Sequence, residues 1–149
     1  MRVNTFGFEH ALAVVDGSAG NVTFAAGQQN RVFPLASVTK TFAAWATLIA
    51  VEQKVIALEE PCGPKGSTVR HLLAHASGLP FEQGARLAKP GERRIYSNLG
   101  IETVSDAVAE RLGVSVEEWI TSSVLEPLGM CDTSVPASPA TSGLSTVAD

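Results

Sequence analysis

Two residues of the chain have the types and spacing of an activated nucleophile. Ser37 and Lys40 form the only Ser-x-x-Lys motif among the 149 residues. On a helix, side chains three residues apart share one face, with about 5–6 Å between their Cβ atoms. A serine hydroxyl becomes a good nucleophile when a neighbouring base takes its proton, and lysine serves when its surroundings lower its pKa. The spacing predicts acyl-transfer chemistry at a helix start, although a helix-capping serine followed by a surface lysine fits the same four residues.

A second motif, Tyr96-Ser97-Asn98, contains the only tyrosine of the chain. A tyrosine hydroxyl between serine and lysine can relay a proton to a leaving group. The amide of Asn98 can donate a hydrogen bond to a substrate carbonyl and accept one from a lysine. The alternative is a half-buried core tyrosine followed by an asparagine turn.

Two other catalytic readings have weaker support. His71 and His75 have the i, i+4 spacing of zinc ligands, but residue 72 is leucine and no third ligand is evident, so we expect no metal site. A Ser-His-Asp triad is possible because the chain contains Asp16, Asp106 and Asp132. No Gly-x-Ser-x-Gly turn accompanies them, and this argues against such a triad.

A small basic cluster lies in the irregular segment 80–94 and comprises Arg86, Lys89, Arg93 and Arg94. Glu82 and Glu92 in the same segment favour a solvated, charge-balanced loop. The alternative is that the cluster flanks a cleft and attracts a substrate carboxylate.

Composition narrows the class of protein. The net charge of −4 disfavours nucleic-acid binding, and 45% hydrophobic with 17% charged residues excludes a disordered chain. Cys62 and Cys131 are too few for a disulfide framework. We see no signal peptide in residues 1–10 and no apolar run long enough to cross a membrane. The sequence therefore predicts a cytoplasmic protein of one domain, for which we expect no cofactor and no nucleic-acid or membrane partner.

The pattern of apolar and turn residues predicts a hairpin followed by helices. Two short apolar runs, 11–16 and 22–26, flank a glycine-rich turn and indicate a β-hairpin. Helices are predicted at about 37–54, 68–75, 99–112 and 116–125.

The first helix is apolar on nearly every side, which is typical of a buried helix. The hairpin is the only predicted strand pair, so little sheet is available to cover that helix. Residues 145–149 resemble a helix start with a cap and no body. We therefore expect a fragment, or a chain that another polypeptide completes.

The two motifs together resemble the class C β-lactamase branch of the penicillin-recognising serine hydrolases, which includes D,D-peptidases and esterases. Further segments agree in order, namely His71-Leu-Leu-Ala-His-Ala-Ser-Gly-Leu-Pro80, Pro90-Gly91, Pro127-Leu-Gly-Met130 and Ser142-Gly-Leu-Ser-Thr146. The resemblance covers nearly all of the chain from residue 11 onward.

The resemblance implies a role for each motif residue. Ser37 would be the acylated nucleophile and its N–H half of the oxyanion hole, with Lys40 as its base partner. Tyr96 would relay the proton, and Asn98 would orient the substrate and Lys40. Whether Lys40 or Tyr96 is the base stays open. The family's third motif, Lys-Thr-Gly or His-x-Gly, is not in this sequence.

The implied fold is an α/β fold of the α+β type, β-lactamase/transpeptidase-like, with an antiparallel sheet flanked by helices and a helical subdomain. Residues 1–58 would carry the hairpin and core helix, 59–128 the helical subdomain, and 129–149 a return segment towards missing C-terminal strands. We expect a serine hydrolase that acts on a small ester, amide or β-lactam and needs a C-terminal segment or second chain. The alternative is a non-catalytic binding or interaction module of the same fold.

Overall fold

The amino-terminal part is the predicted hairpin. A computed structural model describes residues 7–18 and 20–149, so the interpretation of residues 1–6 and of Ala19 in the turn lies outside it. Strands β1 (Ala11–Val15) and β2 (Val22–Gly27) pair antiparallel, with an irregularity between Val14 and Val15. Gly27 ends β2 at φ +77°, where a Cβ atom would lie 2.1 Å from the His10 carbonyl oxygen. Only glycine fits this close approach.

A second, two-residue strand pair joins distant parts of the chain. Strands β3 (Phe33–Pro34) and β4 (Leu144–Ser145) pair antiparallel, and the Leu35 N–H donates to the Gly143 carbonyl at 2.8 Å. The expectations of a single strand pair and of a helix start at 145 are therefore wrong. Residues 144–145 adopt an extended conformation because they pair with the backbone of residues 33–34, a few positions before the predicted nucleophile Ser37.

Five α-helices follow in the described part of the chain. They are α1 (Thr39–Glu52), α2 (Val69–Leu73), α3 (Asn98–Leu112), α4 (Val116–Ile120) and α5 (Glu126–Leu128). None of the helices in the described residues is long and apolar enough to cross a membrane.

Local sequence explains most helix ends. The side chains of Thr68, Ser97 and Ser115 cap α2, α3 and α4 by accepting a backbone N–H from the first turn. Gly113 and Gly129 end α3 and α5 in the left-handed conformation that glycine adopts without strain.

The predicted helix at 116–125 is not uniform. After α4, residues Thr121–Leu125 form a π turn, in which the Glu126 N–H donates to the Thr121 carbonyl five residues earlier. The Ser123 hydroxyl donates to the Trp119 carbonyl at 2.5 Å, and such bonds compete with α-helical pairing. Pro127, which has no N–H for the carbonyl four residues before it, follows this wide turn.

The core is built on one side of α1. One buried cluster joins α1 to α3, α4 and the π turn, and the other joins α1 to α2 and α3. Trp119 packs against both clusters, and its indole N–H donates to the Ala46 carbonyl at 3.1 Å.

The opposite side of α1 is open. Trp45 is 49% exposed and Leu48 is 47% exposed, so the prediction that α1 is buried all round is wrong. The hairpin also exposes apolar side chains, including Val22 and Phe24. A surface on which several large apolar side chains are exposed to solvent is typical of an interaction face.

Candidate active site

Ser37 lies in a 3₁₀ turn, Ala36–Val38, that leads into α1. Its side chain is exposed, as a nucleophile requires. Ala36, the residue before it, has φ +46°, in the left-handed region that residues with a Cβ atom rarely adopt. Such backbone strain persists only where surrounding contacts impose it, and it concentrates at functional sites.

Thr39 supplies those contacts. Its side chain is fully buried, and its hydroxyl donates to the carbonyl of the strained Ala36 at 2.6 Å. The same oxygen accepts the N–H of Gly143 at 2.9 Å. Thr39 thus links the turn that contains Ser37 to the segment immediately before β4.

Lys40 is buried, with 7% of the residue exposed, and faces Ser37. Its Nζ donates to Ser37 Oγ at 3.2 Å and to the Ala140 carbonyl at 2.9 Å. The predicted proximity of Ser37 and Lys40 is therefore present. A buried amine needs hydrogen-bond partners, and these two fix the position of its nitrogen.

Tyr96 completes a three-residue group. Lys40 Nζ lies 4.8 Å from the centroid of the Tyr96 ring. Hydrogen bonding with the Ser37 side chain, and then with Lys40, lowers the pKa of the Tyr96 hydroxyl below its ordinary value of 10.0. The positive charges of Lys40 and Arg94 lower this pKa further. The pKa of the phenol therefore depends on both Ser37 and Lys40.

Asn98 lies two residues beyond Tyr96 in the chain and is not hydrogen-bonded to this group. It begins α3, is buried, and its N–H donates to the Phe81 carbonyl at 2.7 Å. Its Oδ1 has no hydrogen-bond partner among the described residues, and no hydrogen bond joins Asn98 to Lys40. Asn98, Glu102 and Ser138 line part of a cleft of about 310 Å³.

The two histidines have separate environments. His71 Nδ1 accepts the N–H of Thr68 at 3.2 Å and so takes part in the capping of α2. His75 Nδ1 accepts the N–H of Ser97 at 3.2 Å. Among the described residues, no three histidine, cysteine or acidic side chains lie together as metal ligands would. The Ser37 hydroxyl contacts Lys40 where a triad would need a histidine.

The basic cluster of the segment 80–94 is divided. Arg86 donates to the Lys65 carbonyl at 3.1 Å and so joins the loop to the segment before α2, whereas Arg93 donates to the Leu87 carbonyl at 3.2 Å within the loop. Arg94 is near enough to Tyr96 and His75 for its charge to lower both pKa values. Of the cluster, only Arg94 is thereby linked to the group at Ser37.

Sequence reasoning missed the residues that hold this group in place. Thr39 lies inside the Ser-x-x-Lys motif, yet hydroxyl bonding to a distant glycine leaves no local pattern. The Ala140 carbonyl is a backbone atom, so residue type gives no signal for it. The need for glycine at position 143 is evident only from the structure, because a Cβ atom there would lie 2.5 Å from Thr39 Oγ1.

Known proteins share this arrangement of elements. The sequence profile of the β-lactamase family matches residues 10–146. A crystal structure of a β-lactamase from Mycobacterium bovis is 44% identical and superposes with a TM-score of 0.88 over 93% of this chain and 51% of that one. Penicillin-binding protein 4* of Bacillus subtilis is 29% identical over 71% of this chain and 31% of its own length.

A β-lactamase/D-alanine carboxypeptidase from Yersinia pestis is 20% identical, with a TM-score of 0.72 over 93% of this chain and 58% of that one, and shows the fold alone. The chain thus spans between about a third and three fifths of these relatives' lengths. The expected β-lactamase/transpeptidase-like fold is confirmed. Because the family profile covers the chain from the first strand to the last, this chain belongs to the β-lactamase family.

Proposed function

We propose that this chain carries the acylation group of a serine hydrolase, with Ser37 as nucleophile and the Lys40–Tyr96 pair as its proton acceptor and donor. The observation that carries the proposal is the position of Lys40 Nζ, 3.2 Å from Ser37 Oγ and held by the Ala140 carbonyl. A lysine that merely followed a capping serine would extend into solvent.

In the first step, Ser37 Oγ bonds to the substrate carbonyl carbon while its proton passes to the Lys40–Tyr96 pair. The Ser37 N–H stabilises the oxyanion that forms. The pair returns the proton to the leaving group as the bond to the carbonyl carbon breaks, which yields an acyl-enzyme. Water then attacks the ester carbonyl carbon and gives a proton to the same pair, which returns that proton to Ser37 Oγ as the bond between Oγ and the carbonyl carbon breaks. Because the two groups are coupled, the apparent pKa values of the reaction belong to the pair.

We further propose that a C-terminal segment or a second chain completes the site. The exposed apolar residues of α1 and the hairpin support this, since Trp45, Leu48 and Phe24 need a cover. The added part would supply the third motif and the second oxyanion donor. The substrate would be a small ester, amide or β-lactam placed beside Asn98, with esters and amides preferred if the protein is cytoplasmic.

Labelling with a fluorophosphonate probe, followed by intact mass, tests the proposal in the full-length protein and in the 149-residue chain. We expect one adduct in the full-length protein, lost in Ser37→Ala and retained in Ser18→Ala, a control at an exposed serine of the hairpin turn. Lys40→Met should slow labelling by about 10²–10⁴-fold, the range for a positioned proton acceptor.

No adduct on the folded full-length protein would reject the hydrolase proposal and favour the non-catalytic binding module. An adduct on the 149-residue chain at the full rate would reject the need for a completing part.

A further inference from the structure

We propose that His75 is a positioning residue that holds Tyr96 against Ser37 and Lys40, and that it does so only while its imidazole is uncharged. The inference deepens the proposed function and rests on it for its catalytic consequence. The geometry around His75 carries it, independently of the reaction.

His75 has a backbone conformation that needs an explanation. It lies just beyond α2, 8% exposed, with φ +57°. The left-handed region is uncommon for residues with a Cβ atom, and strain of this kind costs on the order of 1–3 kcal/mol. Glycine or asparagine would adopt it more readily. A buried residue keeps this conformation only where surrounding contacts hold it.

The backbone and side chain of His75 accept hydrogen bonds from the residues on either side of Tyr96. The Ile95 N–H donates to the His75 carbonyl at 2.7 Å, and the Ser97 N–H donates to His75 Nδ1 at 3.2 Å. The imidazole ring lies against the Tyr96 ring, with centroids 4.6 Å apart and planes inclined by 38°. The tyrosine is thus fixed at its preceding residue, its following residue and its ring.

The bond from Ser97 requires a lone pair on Nδ1, so the proton of the neutral ring is on Nε2. Protonation of Nδ1 would turn this acceptor into a donor that faces another donor. Ser97 could not adjust freely, because its hydroxyl donates to the Pro80 carbonyl at 2.6 Å and accepts the Gly100 N–H at 2.9 Å. A charged His75 would therefore displace the Tyr96 backbone relative to Lys40.

The charged groups around His75 keep it neutral near physiological pH. Burial, and then the positive charges of Arg94 and Lys40, lower the pKa of His75 below its ordinary value of 6.5. Lys40 faces it from α1, while Arg94 and the titratable Tyr96 face it from the loop before α3. The folded state thus resists a proton that the unfolded chain accepts. The His75 contribution to stability is complete above pH 6.5 and declines as the pH falls below that value.

Two matched variants separate the role of His75 from general effects of histidine loss. In His75→Asn, the amide oxygen can replace Nδ1 as acceptor, the left-handed backbone is tolerated, and no charge can form. His71→Asn alters the other histidine of the same motif, whose Nδ1 accepts the Thr68 N–H in the capping box of α2.

The readouts are the pH profile of Ser37 labelling by a fluorophosphonate in the full-length protein, and the NMR signal of ¹³C-labelled Tyr96. The NMR signal is recorded on the 149-residue chain, where Tyr96 is the only tyrosine and its signal is identified without further assignment. At pH values below both the pKa of His75 and the apparent pKa of the Lys40–Tyr96 pair, a plot of the logarithm of the labelling rate against pH should have a slope of about two in wild type and in His71→Asn. Each proton that must be lost contributes about tenfold per pH unit. In His75→Asn the slope should be about one, and the acid step in the Tyr96 signal should disappear.

Equal slopes in wild type and His75→Asn, or a Tyr96 signal that does not respond to acid in wild type, would overturn the proposal. If no variant labels at any pH, the proposed function fails, and the Tyr96 signal alone decides whether His75 positions the ring. If His75→Asn does not fold, the wild-type Tyr96 signal decides. Its change in acid must then have a midpoint below pH 6.5, because the pKa of His75 is lowered from that value.

Discussion

The contact between Gly143 and Thr39 gives a sharp prediction for stability. In Gly143→Ala, the new methyl carbon would lie 2.5 Å from Thr39 Oγ1, 3.1 Å from Thr39 Cγ2 and 3.2 Å from Leu35 Cδ1. Thr39 cannot rotate away, because its hydroxyl is bonded to both Ala36 and Gly143. Overpacking of this kind costs about 1–3 kcal/mol, and loss of the Gly143–Thr39 hydrogen bond adds about 1 kcal/mol.

We therefore expect Gly143→Ala to lower the free energy of unfolding by about 2–4 kcal/mol, measured by urea denaturation. The melting temperature should fall by about 4–16 °C for a protein of this size. Gly17→Ala is the matched control, since its added methyl meets no atom within 4 Å and its φ is not positive. That control should change stability by less than about 0.5 kcal/mol.

A double-mutant cycle tests the cause. Thr39→Ala removes both threonine atoms that the new methyl meets, so the cost of Gly143→Ala should be smaller in that background by at least about 1 kcal/mol. Because the return segment also carries the Ala140 carbonyl, labelling of Ser37 should slow in Gly143→Ala. Costs that add within about 0.5 kcal/mol, or a Gly143→Ala variant as stable as Gly17→Ala, would refute the reasoning.

Three further predictions concern single groups. Ser37→Ala should raise the pKa of Tyr96, because hydrogen bonding with Ser37 is the largest cause of its lowered value; tyrosinate absorbance in the 149-residue chain, which has one tyrosine, measures this directly. The carboxyl of Glu60 has a pKa lowered from 4.5 by its hydrogen bond with Arg111, so its stabilising effect is present above pH 4.5 and lost as the pH falls through the lowered pKa. Glu60→Gln should remove that part of the pH dependence of urea unfolding. Trp119→Phe should cost about 1 kcal/mol in the same assay, since the indole N–H then no longer reaches α1.

The helices predicted at about 68–75 and 99–112 are present as α2 and α3, because neighbouring residues specify their ends. Thr68 and Ser97 are capping residues whose effect acts within one turn, and Gly113 ends a helix by its own conformation. The proximity of Ser37 and Lys40 was predicted from helical spacing, although Ser37 lies in the 3₁₀ turn before α1. The joining of Tyr96 to them was expected only from the resemblance, because 55 residues lie between Lys40 and Tyr96. The catalytic roles of all these residues stay predictions.

The features that depend on distant partners were not predicted. Leu144 and Ser145 form a strand because Phe33 and Pro34 lie beside them, and two residues carry too little pattern to reveal that pairing. Trp45 is exposed because nothing within the described residues covers its side of α1, whereas apolar periodicity reports only what a residue prefers. The neutral acceptor role of His75 likewise depends on a backbone N–H far along the chain.

The hydrogen bond from Lys40 to the Ala140 carbonyl has a consequence for the order of events during synthesis. The two residues are one hundred positions apart, and a ribosome adds about 5–20 residues per second. Lys40 therefore emerges on the order of 5–20 seconds before the carbonyl that holds it. In that interval α1 can form from local contacts, while the amine lacks its anchor and Thr39 lacks Gly143. In a nascent chain, neither the Lys40 amine nor the turn that carries Ser37 would be held in place until the return segment closes over them.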